Sequence, residues 1–117
     1  MEEIRVHVRG HSAPQGTPFA VHTQILGIRR PSQTTTAGLL PKPLSYYDVS
    51  IEGISDGMAT IMIANDAGLP ERIQYWDGAR WVDLREVSHS GNTVSGDIAV
   101  GLLRGTPPKK IPIVIGT

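Results

Sequence analysis

The stretch "IQYWDGARWVDL", residues 73–84, holds both tryptophans of the chain, with Asp77-Gly78 between them. Asp-Gly is a hairpin signal, because glycine takes positive φ without strain and the aspartate side chain accepts local backbone N–H groups. Two registers are open. A four-residue loop, Asp77 to Arg80, sets Trp76 across from Trp81, Tyr75 across from Val82 and Ile73 across from Leu84. A two-residue turn pairs Trp76 with Ala79 and Gln74 with Trp81. In both, strand alternation puts the two indoles on the face of Gln74 and Asp83 and the aliphatic side chains on the other. The pair is then either a cross-strand aromatic staple, roofed by a loop, or an exposed platform on which a sugar ring or a partner side chain stacks.

The same period of two runs outward from this hairpin. "IRVHVR" sets Ile4, Val6 and Val8 against Arg5, His7 and Arg9. "YDVSIEG" sets Tyr47, Val49 and Ile51 against Asp48, Ser50 and Glu52. "ATIMIA" aligns Ala59, Ile61 and Ile63, and "TVSGDIAV" aligns Val94, Gly96, Ile98 and Val100. Alternation of this kind marks strands with one face on a core and one in water. About eight strands are predicted, over 3–9, 18–28, 45–53, 57–64, 71–76, 80–85, 92–100 and 110–116. No window has a helical period, although "AVGLLRG" has room for one helical turn. With 13 glycines and 9 prolines punctuating the chain at short intervals, the expectation is an all-β, two-sheet β-sandwich. Pro112 points to an edge or a strand start.

Residues 29–45, "RRPSQTTTAGLLPKPLS", break the rhythm. They are rich in Pro, Thr and Ser and carry no period. Residues 1–28 supply only two strands, too few to stand alone. The segment is therefore read as a long, mobile internal loop, crossing between sheets, within a single domain spanning 1–117.

Composition excludes several function classes. The 11 basic and 11 acidic residues balance, where a nucleic-acid binder carries a basic excess. There is no cysteine, hence no disulfide, thiolate metal site or cysteine nucleophile. No apolar run approaches the roughly 20 residues of a membrane helix, and "MEEIRVHVRG" is no signal peptide. The chain is read as either cytosolic or a piece of a longer secreted protein.

No catalytic set emerges. His7, His11, His22 and His89 lack the spacing of a zinc motif. His7 and His22 become neighbours only if the first two strands pair. Ser88-His89-Ser90 is adjacency in a loop rather than a triad. "ISDGMA" and "ANDAGLP" read as turns. No catalytic residue, metal or cofactor is expected. The candidate binding residues are Trp76 and Trp81, with Tyr46 and Tyr47.

From Tyr46 onward, "YYDVSIEGISDGMATIMI", "IQYWDGARWVDL", "SGNTVSGDIAVGLLRGTP" and "IPIVIGT" together resemble an immunoglobulin-like β-sandwich module. This module recurs in multidomain archaeal and bacterial extracellular surface proteins. Relatives can carry cysteines near Met62 and Ser95, absent here. The resemblance implies a non-catalytic structural or binding module of a secreted or cell-surface protein. Its partners would be neighbouring domains of a longer chain, or a protein or polysaccharide at the cell surface. A carbohydrate-binding module using Trp76 and Trp81 is the alternative. Exposure of the two indoles discriminates between them.

Overall fold

A computed structural model describes residues 2–104 and 109–117 of the chain. Nine strands and one helical turn follow in order: β1 (Glu2–Arg9), β2 (Ala20–Gly27), β3 (Pro43–Glu52), β4 (Met58–Asn65), β5 (Arg72–Trp76), β6 (Trp81–Asp83), β7 (Arg85–Ser90), β8 (Thr93–Ala99), α1 (Val100–Leu103) and β9 (Ile111–Gly116). They form two antiparallel sheets, one of four strands in the order β1-β4-β8-β7 and one of five in the order β2-β3-β9-β5-β6. The fold is the expected all-β sandwich.

The strand neighbours follow a known sandwich logic. An immunoglobulin domain sets strands ABED in one sheet and GFC, with C′ beside C, in the other. Here β1, β4, β8 and β7 stand in the places of A, B, E and D, and β9, β5 and β6 in those of F, C and C′. The difference is at G. Its place beside F is filled by β3, which enters the chain before the strand in place B. β2 then extends the sheet outward from β3.

The core lies where the alternating residues meet. Tyr47, Val49 and Ile51 of β3, Ile61 and Ile63 of β4, Ile73 of β5, and Ile113 and Ile115 of β9 are all fully enclosed. Gly96 of β8 makes room for the contact between sheets. A Cβ there would come 2.7 Å from Leu84 Cβ and 3.0 Å from Ile73 Cγ2, and the first of these is no movable side-chain tip.

Four points of the sequence reading are changed or settled. β7 was not predicted: all six of its residues are exposed, so no hydrophobic period announces it. The long loop does not cross between sheets, since β2 and β3 are antiparallel neighbours in one sheet. β1 and β2 do not pair, so His7 lies across from Thr60 while His22 lies across from Ser50 in the other sheet. β3 is not half-wet, because Asp48 and Ser50 on its outer side are also buried. Lys110 reaches across that face to donate to Gln24 Oε1 at 2.8 Å, and burial pushes the Asp48 carboxyl up while the Lys110 ammonium opposes the shift. Pro112 is the second residue of β9, at the strand start that the sequence allowed, and the strand is a central one. β5 pairs with β9 only as far as Ile113, so the proline costs no bond on that side.

Gly96→Ala is expected to lower stability by about 1–3 kcal/mol, the usual cost of overpacking a close-packed core. A denaturant titration with an unchanged midpoint would show that the sheets do not meet at Gly96.

Candidate functional site

The tryptophan hairpin takes the four-residue loop. Trp76 pairs with Trp81, Tyr75 with Val82 and Gln74 with Asp83. Local chemistry fixes this register. Asp77 Oδ1 accepts from the N–H groups of Ala79 and Arg80, each at 2.8 Å, and Asp77 N–H donates to Arg80 O at 3.0 Å. Gly78 adopts φ 105°. The two backbone bonds also hold the Asp77 carboxyl below its ordinary range.

Both indoles face away from the main core, and neither is open to solvent. Trp81 is 2% exposed and Trp76 8%. Their rings meet edge to face, centroids 5.5 Å apart at 60°, within the favoured geometry of aromatic pairs. Tyr46 packs against Trp81 at 5.9 Å. With Leu40 and Val114 they form a second hydrophobic core, flanked by Leu26 and Leu39.

The roof of this core is the irregular segment between β2 and β3. Trp81 donates twice to it, from the backbone N–H to Ala37 O and from Nε1 to Thr35 O, both at 2.8 Å. Gln74 closes the other side: Leu40 N–H donates to its Oε1, and its Nε2 donates to Gly38 O, both at 3.0 Å. Gly38 has φ 74°, and a Cβ on it would come 2.5 Å from Trp81 O. The close approach of loop to hairpin therefore needs glycine. Within the loop, Thr34 N–H and Oγ1 both bond Pro31 O, and Leu39 N–H bonds Thr36 O. The segment is irregular, as expected. Hydrogen bonds tie it to the hairpin at Thr35, Ala37, Gly38 and Leu40, contacts that its composition did not announce.

Tyr47, the fourth candidate, points the opposite way into the main core, as strand alternation requires. Its hydroxyl donates to the Glu2 carboxylate and accepts from Asn65 Nδ2 at 3.4 Å. Burial first, and the bond to Glu2 second, push the phenol up to about 12. Tyr46 and Tyr47 thus serve two different cores. The four candidate residues do not converge on one surface, and the open stacking platform is not formed. Gln74, which the sequence places on the indole face without a role, completes the aromatic site with Gly38 and Thr35, which the sequence does not single out. A glutamine between aromatic and aliphatic strand positions was the available signal.

Other polar groupings are dispersed. A cleft of about 480 Å³ opens beside Ser12, Glu52, Ser55, Asp56, Arg104 and Lys109. Its Asp56 is engaged by Ser12, whose side chain first and backbone N–H, at 2.9 Å, second hold the carboxyl low. His22 contacts Glu52 at 3.1 Å on the outer face of the five-stranded sheet. On the other sheet Arg9, Thr60 and Asp97 bond one another across three strands. Ser88 and Ser90 alternate with His89 along β7, which sends the imidazole to the other side. Among the described residues, no group of three or more His, Asp or Glu side chains gathers around a cation-sized space, and no helix is long and apolar enough to cross a membrane. Comparison with protein-family models, with curated proteins and with solved structures gives no match.

Two outcomes follow for this site. Trp81→Ala is expected to cost about 3–5 kcal/mol, as for a fully enclosed tryptophan. Gly38→Ala should destabilise in the same direction and speed amide exchange at Trp81, whose N–H loses its carbonyl. Unchanged melting of both variants would mean that the loop does not cover the hairpin.

The second outcome concerns alkaline pH. Because the folded phenol is raised above its ordinary 10.0, the contribution of Tyr47 is complete below pH 10 and is lost as pH rises toward about 12. The unfolded chain ionises there first, giving a loss of about 2–3 kcal/mol. The stability difference between the protein and Tyr47→Phe should be constant below pH 10 and move by about 2–3 kcal/mol against the protein as pH rises toward 12; a difference unchanged through that window would refute the shift.

Proposed function

We propose that this chain is a non-catalytic structural or binding module of a secreted or cell-surface protein, an immunoglobulin-like unit set among the domains of a longer chain. One observation carries the reading: the aromatic hairpin, the feature of the sequence best suited to hold a ligand, is enclosed by the chain's own loop. Trp76, Trp81 and Tyr46 are committed to a second core, and Tyr47 to the first. Aromatic area used in this way contributes to stability. The likeness of the Tyr46-to-Thr117 motifs to extracellular modules supports the location. Carbohydrate binding through Trp76 and Trp81 would require the segment around Thr35–Leu40 to lift, breaking the bonds from both Trp81 donors and both Gln74 partners.

Two measurements test this. Digestion of intact native cells with a protease should remove the protein, whereas recovery in the cytosol alone would overturn the location. Acrylamide should quench the indole fluorescence weakly, and immobilised polysaccharides should not retain the protein. Retention that disappears in Trp81→Phe, with folding intact, would replace the structural reading by the carbohydrate one.

A further inference from the structure

The four open strand edges of the sandwich are not alike. A bare edge presents unpaired N–H and C=O groups to any passing strand, and proteins blunt such edges with charge, bulges, brevity or cover. β1 carries Glu2, Glu3, Arg5 and Arg9. β7 is bulged between Arg85 and Ser88, with Glu86 at φ 51°. β6 has three residues, and Ala37 O already takes the Trp81 N–H. β2 has none of these devices over most of its length. It carries no Lys, Arg, Asp or Glu, and it pairs with β3 without interruption from Ala20 to Ile25. Among the described residues, no backbone group from Ala20 to Leu26 is hydrogen-bonded outside that pairing.

Apolar surface gathers at the same edge. Of the large hydrophobic side chains exposed to solvent, Phe19 (41%), Ile25 (45%) and Ile28 (88%) lie on or beside β2.

We propose that β2 is an interface strand whose occupant is β2 of a second copy of this chain, added antiparallel about a two-fold axis through Thr23. A two-fold axis normal to the sheet keeps core-side residues opposite core-side residues only when it passes through a residue. Centred on Thr23, it sets Val21 against Ile25 of the second copy on the inner side, and His22 against Gln24 on the outer side. Both matches then occur twice. Ile25 gains the apolar cover it lacks, and imidazole meets carboxamide in a hydrogen-bonding pair. Just beyond the ladder, Phe19 comes opposite Gly27, and Ile28 comes beside Pro18. Charge agrees as well. Glu52, paired with Ala20 in the adjacent strand, marks the end of one copy that meets the exposed Arg29 end of the other. The result joins the two five-stranded sheets edge to edge. So short a ladder buries little area, so the association is weak and concentration-dependent.

Sedimentation velocity over a concentration series, up to about 1 mM where even a millimolar Kd gives substantial association, is the test. The mass should rise toward a dimer. Thr23→Lys and Thr23→Glu each place two like charges opposite one another on the axis, which weakens cross-strand pairing. Each should raise Kd by about tenfold, and an equal mixture of the two should associate again through opposite charges. Thr23 is exposed, so both variants should fold, as circular dichroism would verify.

The absence of native cysteine gives a second measurement. Thr23→Cys puts two thiols across from each other at an antiparallel Cα spacing of about 4.5–5.5 Å, within the span of a disulfide. It should oxidise to a linked dimer faster than Gln24→Cys, which lies off the axis. A protein that stays monomeric throughout the series, a dimer untouched by both charge variants, or equal cross-linking at the two positions would overturn the proposal. If a charge variant fails to fold, the cysteine comparison decides.

Discussion

The contact between Gly38 and Trp81 is the constraint on which one half of the sandwich depends. The five-stranded sheet has apolar side chains on both faces around β9, whose residues from Pro112 to Gly116 are all buried. The four-stranded sheet covers one face. Without further cover the other would present Trp76, Trp81, Tyr46 and Val114 to water as one continuous patch, of the size that marks binding or aggregation surfaces. The cover comes from an irregular segment, whose own polar groups must be satisfied where it is buried. That requirement explains Gln74. Its carboxamide supplies an acceptor to Leu40 N–H and donates to Gly38 O, which a strand edge would otherwise supply. The Trp81 indole N–H has the same role toward Thr35 O, so the aromatic residue contributes both the apolar area and part of the polar closure.

How much of this was legible varied with the number of wet faces. β1, β4 and β8 each have one side more enclosed than the other, and their alternation of two was plain from the residues. β3 and β9 are buried on both sides. Their elements were found from β-branched and aromatic content, but the burial of Ser50 and Asp48 was not, since a polar side chain in an alternating pattern reads as wet. β7, "REVSHS", buries neither side, and no pattern survives in such a strand. The four-residue turn was one of two readable registers. Asp77 decided between them, because its carboxylate binds the N–H groups of Ala79 and Arg80 and so needs both residues in the loop. The loop's irregularity was legible from its prolines. Its attachment was not, because the partners, Gln74 and Trp81, lie more than thirty residues away in sequence. Of the site candidates, the two tryptophans and Tyr46 do form one cluster, but as a core. Tyr47, adjacent in sequence to Tyr46, had to face the other way.

The departures from an immunoglobulin order all arise in one stretch. From β4 to β9 the strands run in the sequence B, C, C′, D, E, F. The G place is filled from the N-terminal side by β3, so the segment before β4 must deliver a strand to the centre of a sheet and then leave for the other layer. β2 and the roofing loop are the consequences of that route. The loop lies over the outer face because it joins neighbouring strands in one sheet, and its slack is taken up against the tryptophan hairpin at the far side.

The same route explains why the two ends of the five-stranded sheet differ. At β6 the edge strand is short and the loop occupies its outer backbone, so the sheet is closed where its aromatic content is highest. At β2 the chain has added a strand beyond the G position, and no described strand pairs with its outer edge. β3 gains from this arrangement, because β2 pairs with it on the edge that a terminal G strand would leave bare. Its buried Asp48 and Ser50 are then flanked by His22 and Gln24 on one side and by Lys110 on the other. The unpaired edge has been moved outward by one strand, from a mostly buried strand to one whose exposed side chains are Thr23, Gln24 and Ile25. An uncharged edge of this kind protects the strand inside it and leaves its own outer backbone open to pairing.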